Sequence, residues 1–344
     1  MPGVFLIMAS VLFIQTAFLG DVVLATSLVE KWKSVFPHDL VDVLVRRGNE
    51  SVFADNPNIR HTLIWDKKRH KYRELLQTAV RIRRNHYDKV FNLQRFFSTG
   101  FLTVFSGAGQ TIGFQKNPLS FLFDRAIPHR IEGPDTLHEI ERNQQLIAPF
   151  TGDEEPMKPK IYPTSAHRQN AAAKIRKPYI VAAPASVWFT KQFPKEKWVS
   201  FLSQIPQSYS VALIGSPGDR ELCAAIETEV RSMRSEIALV NLCGELNIQE
   251  SAALMQSADM NYVNDSAPLH IASAVNAPVA AIFCSTIPQF GFGPLSDVRH
   301  VIECPSGLYC RPCGLHGKKA CPEKHFRCAL EIEDQQLLAV LPHS

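Results

Sequence analysis

Val11-Leu-Phe-Ile-Gln15-Thr-Ala-Phe-Leu-Gly20-Asp21-Val-Val-Leu-Ala-Thr26 is the stretch from which the fold is read. Val11–Gln15 is long enough for a strand, and its continuous apolar run suits one buried on both faces of a parallel sheet. Gly20 permits a tight, left-handed turn, and a helical pattern follows from Val22 to Phe36. The apolar run reaches back to Val4, with Ser10 its one polar member. That is short of the roughly 20 residues a membrane span needs, and no Lys or Arg precedes it as in an export signal. Met8 is therefore expected to be the natural start, with residues 1–7 an extension. The expected compartment is the cytosol, where thiols stay reduced.

Outward from this stretch the alternation continues. Val41–Val45 and Lys89–Asn92 read as strands. Tyr72, Leu75, Leu76, Ala79 and Ile82 fall at helical spacing, which predicts one apolar face. Between Thr151 and Ala173 come Gly152, Pro156, Pro159 and Pro163, a composition that predicts a linker. Beyond it Tyr179–Ala183, Tyr209–Ile214, Ile237–Asn241, Met260–Val263 and Pro278–Phe283 read as strands. Helical stretches lie between them near Lys195–Gln204, Asp219–Ser232, Ile248–Ser257 and Leu269–Val275. An α/β fold of two doubly wound domains is expected, residues 1–160 and 161–330, with 331–344 a tail or helix. A chain of 344 residues accommodates that number. In such sheets ligands bind beyond the carboxyl ends of the strands, so a cleft lined by strand ends is where chemistry should lie.

Composition narrows the classes. With 45% hydrophobic and 20% charged residues the chain is neither disordered nor fibrous. A net charge of +4 argues against a dedicated nucleic-acid binder. G-x-x-x-x-G-K-[ST], G-x-G-x-x-G after a strand, and H-E-x-x-H are all absent, which disfavours P-loop hydrolysis and nicotinamide chemistry. The charge is uneven: Lys67–Arg95 holds ten basic residues against Glu74 and Asp88. Such a run is either a solvated helix face or a footprint for a phosphorylated acceptor at an anionic membrane surface.

Four strand ends carry candidate chemistry. Asp21, at a helix start, serves either as an N-cap carboxylate or as a general base for a hydroxyl. Ser186, Thr190 and Lys191 lie in a loop before a helix that begins near Pro194, a setting that suits a phosphate or an ordinary surface loop. Asp265 and Ser266 precede another helix, with His270 inside it as ligand or core residue. Gly215–Asp219 is either a place for a ribose or simply a turn. Four of the eight cysteines, Cys310, Cys313, Cys321 and Cys328, fall within one short segment. The leading C-x2-C suits a tetrahedral metal, whereas the second pair is spaced unlike a zinc ribbon.

At this point the residues resemble a known family. Gln15–Thr26, Ala183-Pro-Ala-Ser-Val-Trp-Phe-Thr-Lys-Gln-Phe-Pro194 and Asn264-Asp-Ser-Ala-Pro-Leu-His-Ile-Ala272 together are similar to the ADP-heptose:lipopolysaccharide heptosyltransferases, glycosyltransferase family 9. The similarity runs from Val11 to about Leu330, with His138-Glu-Ile-Glu-Arg-Asn143 and the cysteine segment included. It implies a GT-B fold, acceptor domain first and nucleotide-sugar domain second. It implies inverting transfer of heptose from ADP-L-glycero-D-manno-heptose to the lipid A–Kdo inner core, at the inner face of the membrane, without an obligatory metal. Asp21 then matches the catalytic base. Ser186, Thr190 and Lys191 match the diphosphate segment, and Asp265, Ser266 and His270 the donor motif. Gln94 and Arg95 are the candidate acceptor-binding residues. A monomeric state completes the expectations, and the four cysteines leave a structural zinc and a metal-free loop both open. Two departures stand out: Ala267 replaces the usual glycine, and Gly215–Glu221 offers no secure acidic partner for the adenosine ribose.

Overall fold

Residues 11–14 are wholly buried because both faces of their strand are covered. Leu12 and Ile14 point to one face and Phe13 to the other, as pleating demands. The computed structural model describes residues 8–67, 70–131 and 136–342. The chain divides into two compact units, Met1–Lys160 and Ile161–Ser344. The expectation about residues 1–7 lies outside the described residues.

The first unit contains β1 (Ser10–Ile14), α1 (Leu19–Val35), β2 (Leu40–Arg46), β3 (His61–Trp65), α2 (Lys71–Arg84), β4 (Lys89–Asn92), α3 (Phe97–Val104), β5 (Gln110–Phe114), β6 (Arg125–Ile127) and α4 (Glu139–Thr151). Its six strands are parallel in the order β3-β2-β1-β4-β5-β6. Leu12, Ile14 and Leu44 pack with Ala79 and Ile82 of α2 and Leu102 of α3. On the opposite face Phe13 and Phe91 meet Trp32 of α1 and Phe150 of α4. At the centre of β2, Asp42 is fully buried. It is held by Arg60 through Nε at 2.9 Å and Nη2 at 2.7 Å, by the Tyr87 hydroxyl at 2.6 Å and by the backbone N–H of His61. Burial and the neighbouring carboxylate push the Tyr87 hydroxyl far above its ordinary range.

The second unit contains α5 (Ser165–Ala172), β7 (Tyr179–Ala183), α6 (Lys195–Ser203), β8 (Ser210–Leu213), α7 (Arg220–Met233), β9 (Leu239–Asn241), α8 (Ile248–Ser257), β10 (Met260–Asn264), α9 (Ala267–Ala274), β11 (Val279–Phe283), β12 (Arg299–Glu303), α10 (Arg327–Leu330) and α11 (Asp334–Leu338). Its sheet is again parallel, β12-β11-β10-β7-β8-β9. Counted from its own first strand, that is the order of the first unit. Both units therefore have the doubly wound order, with a reversal between the first and fourth strands.

Several expectations change. The first helix begins at Leu19 with Phe18 as its N-cap, so Gly20 is helical and makes no left-handed turn. The apolar residues of α2 do not share one face: Leu75, Ala79 and Ile82 enter the core, while Tyr72 and Leu76 are exposed. The predicted linker holds a helix, α5, whose Thr164 Oγ1 accepts from the His167 backbone N–H. Strands β3, β5, β6 and β12 were not read from the sequence. Tyr209 and Tyr262 donate to the carbonyls of Pro342 and Leu337, which ties the end of the chain to the second unit.

Candidate active site

In a doubly wound sheet the crevice opens where the strand order reverses. In the first unit that point lies beyond β1 and β4. Asp21 is there, three residues into α1, so its position is the first helical turn and not the cap. A carboxylate in that turn is favoured by the exposed N–H groups of the helix end. Gln15, at the end of β1, accepts from Gln94 Nε2 beyond β4, and also from the backbone N–H of Ala17. Asn117 donates to the Gln94 carbonyl at 2.9 Å. Gln94 is thus buried and spends its amide on Gln15, which makes it a joint between the two strand ends and not an open acceptor ligand. Arg95 next to it is exposed, its guanidinium 5.6 Å from the centre of the Phe96 ring.

A lysine that the sequence hid within its basic run joins this group. Lys67 Nζ donates to the carbonyl and the hydroxyl of Thr16, both at 2.9 Å, and lies over the Trp65 ring. Burial, aided by Arg46, brings its pKa down to about 8. Arg46 in turn covers the ring of Phe18 at the start of α1.

In the second unit the reversal lies beyond β7 and β10, and the donor-loop and Asp265 motifs meet there. Lys191 Nζ is 2.6 Å from Asp265 Oδ2, and the same oxygen accepts from Thr286 Oγ1 at 2.6 Å. Asn264 staples the loop to β10: its Oδ1 accepts from the Phe193 N–H and its Nδ2 donates to the Pro184 carbonyl. Ser186 donates its N–H to Gln192 Oε1. Ser266 is the N-cap of α9 with an extended backbone. Ala267 is simply the first helical residue, so its departure from glycine brings no strain. His270 is buried in α9, edge-on to Phe292.

Thr190 is bonded to neighbouring segments of the protein. It is 1% exposed, its hydroxyl accepting from the Lys318 N–H at 2.7 Å and bonded to Ser285 Oγ at 3.0 Å. Gly215–Asp219 forms a closed turn in which the Asp219 carboxylate accepts from both the N–H and the hydroxyl of Ser216.

The cysteine segment buttresses this site. Arg311 donates to the carbonyls of Cys284 and Thr286 past the end of β11, and Cys313 N–H donates to Ser285. Gly317, with φ +72°, lies against Lys191: an added Cβ would come 2.8 Å from its Cγ. Cys310, Cys313, Cys321 and Cys328 line one cavity of about 350 Å³ with His325. Burial and nearby thiols push Cys328 up to about 12. Among the described residues, however, no group of three or more His, Cys, Asp or Glu side chains is arranged to hold a metal ion. The hydrogen bonds just described tie the loop to the end of β11.

Residues 75–325 match the family model described as glycosyltransferase family 9 (heptosyltransferase). The chain belongs to that family. It is 24% identical over 317 residues to lipooligosaccharide heptosyltransferase 2 of Haemophilus influenzae, covering 87% of this chain and 89% of that protein. It is 24% identical over 353 residues to lipopolysaccharide heptosyltransferase 1 of Pseudomonas aeruginosa, covering 95% and 92%. The structure of Escherichia coli ADP-heptose lipopolysaccharide heptosyltransferase II superposes with a TM-score of 0.80 at 20% identity, over 96% of this chain and 97% of that one. The protein is thus a glycosyltransferase of the lipopolysaccharide heptosyltransferase type with the GT-B architecture. Among the described residues no helix is long and apolar enough to cross a membrane.

Proposed function

We propose that this family 9 enzyme transfers heptose from ADP-L-glycero-D-manno-heptose to the lipid A–Kdo inner core, with inversion, and that Asp21 is the general base. The observation that carries the reading is where the charges fall. A carboxylate is at the switch point of the first unit, and a lysine held by a buried aspartate is at that of the second. An acceptor hydroxyl is a poor nucleophile. Asp21 takes its proton as the oxygen bonds to the anomeric carbon. The bond from that carbon to the diphosphate breaks on the opposite face, and ADP departs with the electron pair. Negative charge therefore grows on the diphosphate, where Lys191 and the α9 N-terminus are favourable partners. Lys67, Arg46 and Arg95 supply positive charge for the phosphates and acidic sugars of the acceptor. No step is routed through a metal. The work is then done at the cytoplasmic face of the inner membrane, by a monomer.

The test is to incubate the enzyme with ADP-heptose and defined core acceptors and to weigh the products by mass spectrometry. A product heavier by one heptose is expected. Asp21→Asn should abolish it while leaving ADP affinity within a few-fold. Retained turnover in that variant would remove Asp21 as base.

A further inference from the structure

Helix α2 has two apolar stripes, and the first unit uses only one. At about 100° per residue, Leu75, Ala79 and Ile82 share the face turned to the core. Tyr72, Leu76 and Val80, at i, i+4 and i+8, form a second stripe about 90° round the helix from it. They are 76%, 57% and 49% exposed. Arg73, Arg83 and Arg84 are exposed within the same arc of about 120°. Glu74, the one acidic residue of the helix, lies outside that arc. An ordinary solvated face would not repeat large apolar groups at this spacing between arginines. A face meant for a second copy of the chain would set those arginines against their own kind. Arginines flanking an apolar stripe, with an aromatic ring at one end, suit the headgroup layer of an anionic bilayer, where the rings and aliphatic groups sink in and the guanidinium groups stay at the phosphates.

We propose that α2 is the element by which the protein docks on an anionic phospholipid surface, lying flat with Tyr72, Leu76 and Val80 inserted and Arg73, Arg83 and Arg84 paired with lipid phosphates. The idea rests on the proposed function only for its usefulness, since a lipid-anchored acceptor is presented at such a surface. The contact itself needs neither substrate.

Co-sedimentation of the full chain with vesicles tests it without donor or acceptor, so its outcome is independent of the transfer reaction. Vesicles of phosphatidylcholine with about a third phosphatidylglycerol should retain the protein, and pure phosphatidylcholine should not. Added salt should weaken the binding. Removing the three positive charges in Arg73→Gln/Arg83→Gln/Arg84→Gln should lower the partition coefficient by roughly 100-fold. Leu76→Ser/Val80→Ser should release the protein from the same vesicles, although both side chains lie outside the core and circular dichroism should stay unchanged. Equal binding to neutral and anionic vesicles, or variants that bind as the parent does, would overturn the proposal. A concentration-dependent dimer that the Leu76→Ser/Val80→Ser variant abolishes, with no vesicle binding, would assign the face to a second copy instead.

Discussion

Replacing Lys191 by alanine removes one half of an ion pair whose atoms are 2.6 Å apart and whose side chains are 15% and 6% exposed. The Asp265 carboxylate then keeps Thr286 Oγ1 as its remaining side-chain donor in the site. A buried charge left without its partner costs about 3–5 kcal/mol. In a unit of this size each kcal/mol moves the midpoint by about 2–4 °C. The melting of Ile161–Ser344 should therefore fall by roughly 6–20 °C. Lys191→Met/Asp265→Asn replaces the pair with neutral groups of similar volume and should recover most of that loss, because no charge is stranded.

Nucleotide binding should follow a different rule. If Lys191 meets the diphosphate, losing that charged contact costs about 1.5–3 kcal/mol, or roughly 10- to 150-fold in the ADP dissociation constant. The double variant should be impaired at least as much as the single one. Differential scanning calorimetry reads the first effect and titration calorimetry with ADP the second. An unchanged midpoint in Lys191→Ala would refute the account of a buried pair. Recovery of ADP affinity in the double variant would show that the single change acted by disturbing the loop, and Lys191 would lose its place as a donor ligand.

Three further predictions concern the surroundings of the two sites. Gly317→Ala forces an L side chain into a left-handed backbone, at about 1–2 kcal/mol, and pushes on Lys191; ADP affinity should fall with the second unit still folded, and unaltered titration would reject the contact. Lys67 has a pKa of about 8 when folded against 10.5 ordinarily. The unfolded chain therefore binds more protons between those values, and stability should rise with pH across that window. Urea titrations should show the rise in the parent and not in Lys67→Met; a rise of the same size in both would place its origin elsewhere. Tyr87→Phe withdraws a 2.6 Å hydrogen bond from the buried Asp42 and should lower the stability of the first unit by about 1–3 kcal/mol, with ADP titration unaffected; a midpoint equal to the parent's would mean that Arg60 alone satisfies the carboxylate.

The parallel sheets were legible because their strands are apolar on both faces and short. Val11–Ile14, Tyr179–Ala183 and Val279–Phe283 leave no helical alternative of comparable length. Strand β3 was hidden because His61, Thr62 and Leu63 remain partly exposed and resemble a loop in composition. Strands β6 and β12 are likewise sheet edges with one side wet. At the sites, motif position led to Asp21, Lys191 and Asp265, which the fold brings to the strand ends where such sheets bind ligands. It could not tell that Thr190 and Gln94 face inward: a hydroxyl or amide beside a ligand and one bonded to a neighbouring loop look the same in sequence. Lys67 was one of ten cations in a run. Its special environment arises from Thr16 and Trp65, both brought to it by the fold.

The two units share a strand order, and the proposed mechanism asks different work of their strand ends. In the second unit Asn264, Thr190, Arg311 and Thr286 fix the loop, the cysteine segment and the Lys191–Asp265 pair by hydrogen bonds between four separate segments. In the first, the strand ends are joined by the Gln15–Gln94 bond, with Lys67 on Thr16, Asn49 on the Ala17 carbonyl and Asn117 on the Gln94 carbonyl. Charge that develops on a leaving diphosphate is stabilised only by groups already held in place, since reorganising them during the reaction would return the cost. A base needs less. It must reach one hydroxyl and carry a suitable proton affinity, and in the proposed mechanism the carboxylate in the first turn of α1 has that role. Loosening the second unit, through Thr190→Val for example, should therefore lower kcat more than it raises the KM for acceptor, whereas changes at Arg95 should do the reverse. Steady-state kinetics with both substrates varied separates the two, and equal effects on both parameters from both variants would mean that the division of labour is not between the units.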